Sequence, residues 1–310
     1  MAKVPYIDDL FLMGEAQGDK DYEKLHNEIL DRKNAMTDYV EFEEEIFGFL
    51  IHDNQVLSKL CDMPVKVIRF MFSGVETLHK PEQLVAMEQL FGKLFIRMQE
   101  EKVYYQLRLP GHVVDAVKAL KMITDRGIFC GGTTYYQSGQ YEKVLMEKDA
   151  MEKPDGLVID FATQGEINAC KDALKTMATL SFKEYQGQYH ISPVTERYAA
   201  DIYRNWIEAE LNGNSDKKIL LAKMKGEIAG FCLLNEEERG MDMELVTVSS
   251  DFRGMGVYKN MIAYLLRYAG ECNKYFYSST QIDNYASQHT WASRGMKPFY
   301  TIYNYHYDMR

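Results

Sequence analysis

Cysteine is scarce and scattered: five residues, at 61, 130, 170, 232 and 272, with no Cys-x-x-Cys pair. That spacing excludes a disulfide framework and a cysteine-based zinc site, and it fits reduced, mostly buried thiols in a cytoplasmic protein. The seven histidines include no His-x-x-x-His pair, so no metal is expected. Positive charge is in deficit, with 36 Lys and Arg against 46 Asp and Glu, a net charge of −10. A nucleic-acid partner needs a basic footprint and is not expected. An anionic small ligand is still allowed, because a local cation such as Arg253 can oppose the global sign. No apolar run is long enough to span a membrane, and the opening Met1-Ala2-Lys3-Val4-Pro5-Tyr6 lacks a signal-peptide core, so no membrane partner is expected. Also missing are the Gly-x-Ser-x-Gly elbow of hydrolases and a completed dinucleotide fingerprint.

What is present is a chain of 310 residues, 46% hydrophobic, long enough for two domains with separate cores. Its most informative stretch runs from Glu244 to Met296. Met243 to Val248 reads as a half-buried strand. Ser249 to Phe252 and then Arg253-Gly254-Met255-Gly256 form a turn. Beyond it Val257, Met261, Leu265 and Ala269 recur at helical spacing, with Ile262 and Leu266 beside them. A strand that passes through a glycine turn into a helix makes an anion site, since the first helical amides lack partners and the dipole there is positive. Glycines let the backbone approach a phosphate closely, and Arg253 adds charge. Tyr275 to Thr280 reads as the next strand, followed by a helix opened by Asn284 and closed before Gly295-Met296.

These residues resemble the GNAT acetyltransferase superfamily. Its pyrophosphate motif, Arg/Gln-x-x-Gly-x-Gly/Ala, is met by Arg253 and Gly256. Its following helix, Asn-x-x-Ala-x-x-x-Tyr-x-x-x-Gly-Phe, is met by Asn284 and Gly295, with Ser287 as the small residue and Met296 for Phe. Two positions depart: Tyr258 stands for Gly or Ala, and Trp291 stands for Tyr. The resemblance implies an α/β (α+β mixed sheet) acetyltransferase fold and acetyl-CoA as co-substrate. It places the cofactor on Arg253, Gly254, Met255, Gly256, Val257 and Tyr258, with Asn284, Ser287 and Trp291 nearby. It also implies that the backbone at Val246 and Val248 holds the pantetheine arm.

Taken in order, residues 1–36 are polar and acidic, with a helix expected near Tyr22 to Arg32 and packing or an oligomer contact, such as a homodimer, as its role. Ile46 to Ile51 and Val65 to Phe72 read as strands, Pro81 to Gln99 as a helix, Val103 to Leu109 as a strand, His112 to Thr124 as a helix, and Ile128 to Tyr136 as a strand. This order repeats that of the C-terminal half, and Arg126-Gly127-Ile128 parallels Arg294-Gly295-Met296. The matching first turn, Ser73 to Leu78, has no glycine pair and carries Glu76, which would repel a pyrophosphate. Residues 1–150 therefore read as a degenerate acetyltransferase-like domain. A polar linker over 137–156 leads to the second domain, 151–310. That domain begins with a strand, Leu157 to Ala162, then helices near Gly165 to Leu180 and Glu196 to Leu211. A hairpin of Ile219 to Met224 and Glu227 to Leu234 follows, turned at Lys225-Gly226. The two-domain layout, with the loop Gly187 to Pro193 and Tyr203 to Ile207, looks like the bacterial dTDP-fucosamine acetyltransferase type.

Acetyl transfer to an amine requires a base for the ammonium proton. Glu244 is placed by strand parity on the face of Val246 and Val248, and it is useful only if partly desolvated. His190 is the rival base, since histidine titrates near neutrality. The departing thiolate needs a proton; Trp291, an indole, is a donor but not a useful acid, so Tyr258 or Tyr285 is expected to substitute, with Trp291 as a wall. Tyr189 and His190 are expected to touch the acceptor, a small amine such as an amino sugar on a nucleotide, bound between the domains. A polyamine, a peptide amine, or acyl-CoA binding without turnover are the alternatives.

Overall fold

The computed structural model describes residues 36–42, 45–72, 81–110, 125–138, 153–183, 185, 187–212, 216–237 and 240–310. The helices expected at Tyr22 to Arg32 and His112 to Thr124 and the turn at Ser73 to Leu78 lie outside them. The elements, in chain order, are β1 (Asp38–Phe42), β2 (Glu45–Asp53), α1 (Gln55–Cys61), β3 (Val65–Phe72), α2 (Pro81–Glu101), β4 (Tyr104–Pro110) and β5 (Ile128–Gln137). There follow β6 (Leu157–Phe161), α3 (Gln164–Lys183), α4 (Gln188–Ile191), α5 (Ala199–Leu211), β7 (Lys218–Met224), β8 (Glu227–Glu236) and β9 (Gly240–Val248). Last come α6 (Val257–Glu271), β10 (Tyr275–Gln281), α7 (Tyr285–Ser293) and β11 (Lys297–Asp308). No helix among the described residues is long and apolar enough to cross a membrane.

The chain divides into two compact units, neither contiguous in sequence. The first comprises residues 1–133, 187–196 and 300–310; the second comprises 134–186 and 197–299. In the first unit β1, β2 and β3 pair antiparallel, β3 and β4 pair parallel, and β11 adds antiparallel to β4. Strand parity puts Ile68, Phe70, Leu107 and Tyr305 on one face, where they close a core against Met87, Leu90, Phe91, Leu94 and Met98 of α2. In the second unit β6, β7, β8 and β9 pair antiparallel, and β9 pairs parallel with β10. One part of the repeat read from the sequence lies within the described residues: β3–α2–β4 and β9–α6–β10 are both parallel strand–helix–strand crossovers.

The apolar stripe of α6 is buried at Val257, Met261, Ile262, Leu265, Leu266 and Ala269. It packs with Leu220, Cys232, Leu234, Met241, Met243 and Trp291 in the core of the second unit. The β7–β8 turn falls at Lys225-Gly226, both with positive φ (51° and 92°), the conformation that matches the twist of two-residue hairpins. Three cysteines, Cys61, Cys130 and Cys232, are buried, Cys170 is half-buried and Cys272 exposed, all as free thiols.

Candidate active site

The second unit opens between its two parallel strands. β9 and β10 pair from Gly240↔Tyr275 to Met243↔Ser278 and then stop, although β9 continues to Val248 and β10 to Gln281. Ser278 Oγ donates to Met243 O at the fork, 2.8 Å. Beyond it, the β9 edge that carries Val246 and Val248 has no β10 partner among the described residues. Backbone amides and carbonyls on such an edge can pair with an extended ligand as a strand would.

A β-bulge lies at the same place. Leu234 opposes Met243 while Leu233 opposes Leu245, which leaves Glu244 as the extra residue of β9. Parity changes there: Met241 and Met243 before the bulge, and Val246 and Val248 after it, all pack on the α6 core. Glu244 was expected on the Val246 and Val248 face; the bulge breaks that alternation and turns the carboxylate elsewhere. Its Oε2 accepts from Lys217 Nζ at 2.7 Å, and the same Nζ reaches Glu210 Oε1 of α5 at 2.8 Å. Burial pushes the Glu244 pKa up, and Lys217 opposes that push. Two residues back, Asp242 is 5% exposed, and burial holds it well above the usual carboxylate range.

The glycine turn follows β9. Gly254 and Gly256 have φ of 78° and 77°, values that an L side chain rarely adopts. A Cβ on Gly254 would meet nothing within 4 Å, and one on Gly256 would make only ordinary contact with Asn260 and Pro154. The turn is thus open on its outer side. Arg253 N donates to Ser250 O and Met255 N to Phe252 O, so these two expected anion donors are engaged within the turn. Gly256 caps α6, and Asn260 is the first helical amide, bonded to Gly256 O at 3.0 Å. That leaves Val257, Tyr258 and Lys259 in the first turn with no intrahelical acceptor. The α6 N-terminus, with the exposed Arg253, fits a phosphate or pyrophosphate.

Across from the turn, Asn284 caps α7: its Oδ1 accepts from Ser287 N at 3.3 Å, while its Nδ2 donates to Thr280 Oγ1 (2.8 Å) and Ser287 Oγ (3.1 Å). Trp291, 1% exposed, stands edge-on to Tyr136 with ring centroids 5.3 Å apart. Tyr258 packs its ring on the core, and its hydroxyl is buried. Burial raises the Tyr258 pKa, while Ser287 and Trp291 pull it back. Neither the Tyr258 hydroxyl nor Trp291 Nε1 has a partner in hydrogen-bond geometry. The two groups still lie close enough for Trp291 and Ser287 to act on the Tyr258 hydroxyl. Tyr285, the other candidate proton donor, is 74% exposed.

Tyr189 and His190 belong to the first unit. They lie on α4, a single turn, where Thr195 Oγ1 donates to Tyr189 O at 2.9 Å. Ser192, next to them, is fully buried and hydrogen-bonds the Tyr104 hydroxyl, which also meets His306 Nδ1 at 2.8 Å. His306 is packed away from solvent and His289 is exposed. Among the described residues, no group of three or more His, Cys, Asp or Glu side chains gathers as a metal ligand set.

The family model described as "Acetyltransferase (GNAT) family" matches residues 174–296. Similar solved structures include a GCN5-related N-acetyltransferase from Sphaerobacter thermophilus, 13% identical, covering 99% of this chain and 94% of that one with a TM-score of 0.55. A tandem GNAT protein from the clavulanic acid biosynthesis pathway is 8% identical and covers 98% and 95%, with a TM-score of 0.53. A conserved protein of unknown function from Staphylococcus epidermidis is 12% identical and covers 79% and 84%, with a TM-score of 0.51. No curated protein matches the chain in sequence.

Proposed function

We propose, from the match of residues 174–296 to the GNAT acetyltransferase family model, that the protein is an N-acetyltransferase that moves an acetyl group from acetyl-CoA to a small amine. The observation that carries the proposal is the coincidence of three features in the second unit. They are the open glycine turn at the start of α6, the fork between β9 and β10, and the half-buried Glu244 carboxylate at the fork. The turn would hold the pyrophosphate through the α6 amides and Arg253, and the β9 edge at Val246 and Val248 would hold the pantetheine arm. Asn284 and Ser287 fix the start of α7 beside that arm.

Bound acetyl-CoA supplies a thioester; a carbon–nitrogen bond forms as the carbon–sulfur bond breaks. Glu244 takes the proton that the amine loses. Half-burial keeps its basicity above that of a solvated carboxylate, as a general base near neutral pH needs. Tyr258 returns a proton to the leaving thiolate: burial makes its hydroxyl keep its proton, and Ser287 and Trp291 beside it favour the phenolate left behind. Trp291 is the wall beside it. Tyr285 is too exposed for that role. Tyr189 and His190 are assigned as acceptor contacts, and an amino sugar on a nucleotide is the first acceptor to try, by likeness to the dTDP-fucosamine type. The N-terminal half, residues 1–150, is assigned as a degenerate acetyltransferase-like domain that binds no CoA.

The experiment is a panel of amines, including nucleotide-linked amino sugars, spermidine and a short peptide, incubated with acetyl-CoA and read by mass. A gain of about 42 Da, one acetyl group, on one amine supports the proposal. Tight acetyl-CoA binding without a product on any amine favours the second reading, a binding protein without turnover, which the replacement of Tyr by Trp291 would suit.

A further inference from the structure

Lys217 lies just ahead of β7 and reaches two carboxylates at once, Glu244 at 2.7 Å and Glu210 at 2.8 Å. All three side chains are largely withdrawn from water, at 22% exposure for Lys217, 13% for Glu244 and 14% for Glu210. Such a bridge differs from a surface ion pair, because a half-buried carboxylate needs its counter-ion to stay charged. It also fixes direction. A bulge residue has no cross-strand neighbour opposite it to set its side chain, so the ammonium is what holds the Glu244 carboxylate in place.

We propose that Lys217 is a positioning residue for Glu244, holding the carboxylate charged and oriented at the fork, and that Glu210 weakens this hold by sharing the same ammonium. The inference rests on Glu244 as the base of the proposed reaction. Several charged and titratable groups among the described residues face Glu244. Lys217 and Glu210 touch it or its partner, Asp242 precedes it on β9, and Cys232 lies across on β8. Glu237 faces Asp242 in turn. Burial favours the protonated form of Glu244, Lys217 favours the charged form, and Glu210 works against the charged form. Removing Lys217 and removing Glu210 must therefore act in opposite directions. A role confined to stability has no reason to show that reversal.

The test is a carboxyl-carbon NMR titration of Glu244 in the full chain, with the signal assigned by its loss in Glu244→Gln. Lys217→Met should raise the Glu244 midpoint by about one pH unit or more, a tenfold change in proton affinity. Lys217→Arg should restore most of it, and Glu210→Gln should move the midpoint down. Amide spectra check that each variant folds, and Lys217→Arg and Glu210→Gln keep the test decisive if Lys217→Met does not. A midpoint that stays put in Lys217→Met, or that moves the same way in Lys217→Met and Glu210→Gln, overturns the hold of Lys217 and leaves Glu244 itself untouched. With an acceptor in hand, the acid limb of kcat/KM should track the midpoint. A limb that stays fixed while the midpoint moves overturns the positioning role together with Glu244 as the base.

Discussion

Replacing Trp291 by Phe separates packing from chemistry at the site. The indole is 1% exposed, so truncation leaves a void. At about 24 cal/mol per Å³, a cavity of roughly 40 Å³ costs about 1 kcal/mol. Against that stands Nε1, buried and outside hydrogen-bond geometry although it acts on the nearby Tyr258 hydroxyl; an unsatisfied buried donor costs about 1–3 kcal/mol, and Phe removes whatever part of that this poorly paired donor carries. The two terms offset, and the stability of Trp291→Phe should lie within about 1 kcal/mol of the parent, whereas Trp291→Ala should lose about 3–5 kcal/mol. Urea unfolding followed by the fluorescence of Trp206, on α5 of the same unit, measures this directly. As a wall, Trp291 should contribute less than tenfold to kcat, short of the roughly 10²–10⁴ range of general acid–base catalysis. A stability loss above about 2 kcal/mol in Trp291→Phe would show instead that Nε1 is well paired with the Tyr258 hydroxyl. A collapse of kcat with acetyl-CoA affinity preserved would show that the indole itself supports the chemistry.

Tyr258→Phe should lower kcat by about 10²-fold or more with the acetyl-CoA Kd unchanged, while Tyr285→Phe should match the parent; stopped-assay kinetics decide between them. His190→Ala should raise KM for the acceptor or lower kcat without altering acetyl-CoA affinity by calorimetry, and equal kinetics would remove α4 from the site. His306, buried and near Arg108, has its pKa pushed down to about 3, below its unfolded value. It therefore adds stability above about pH 6.5 that is lost as pH falls toward about 3, by at most about 1.4 kcal/mol per unit. Denaturant midpoints between about pH 7 and 5 should fall in the parent and flatten in His306→Gln; parallel curves would contradict the assignment.

The parts of the site that sequence conveys are local. The glycine pair at 254 and 256, the α6 stripe and the Asn284 cap each depend on residues within one or two turns, and each has a distinct backbone or periodic signature. The bulge was legible too, as a slip of phase: Met241, Met243 and Leu245 alternate, then Val246 and Val248 resume one residue out of step. Read as unbroken alternation, that run puts Glu244 on the wrong face. Lys217 and Glu210 carry no such trace, because their meeting with Glu244 comes from α5, the chain before β7 and β9 packing together. The same holds for the two units. That β11, the last strand, pairs with β4 is a tertiary choice that propensity and pattern do not encode. Trp206 and Trp291 look alike in the sequence, yet only Trp291 is fully buried, and α7 has almost no apolar face from which that could be read.

Calorimetry on the Gly256→Trp variant tests whether acetyl-CoA is held at the turn that opens α6. Gly256 sits at φ 77° at the head of α6, with room only for ordinary contacts. An indole there strains the backbone and fills the approach to the free amides of Val257, Tyr258 and Lys259. The parent should bind acetyl-CoA, and Gly256→Trp should lose that binding while circular dichroism shows the fold retained. Unchanged acetyl-CoA affinity in Gly256→Trp would place the cofactor elsewhere and contradict the account.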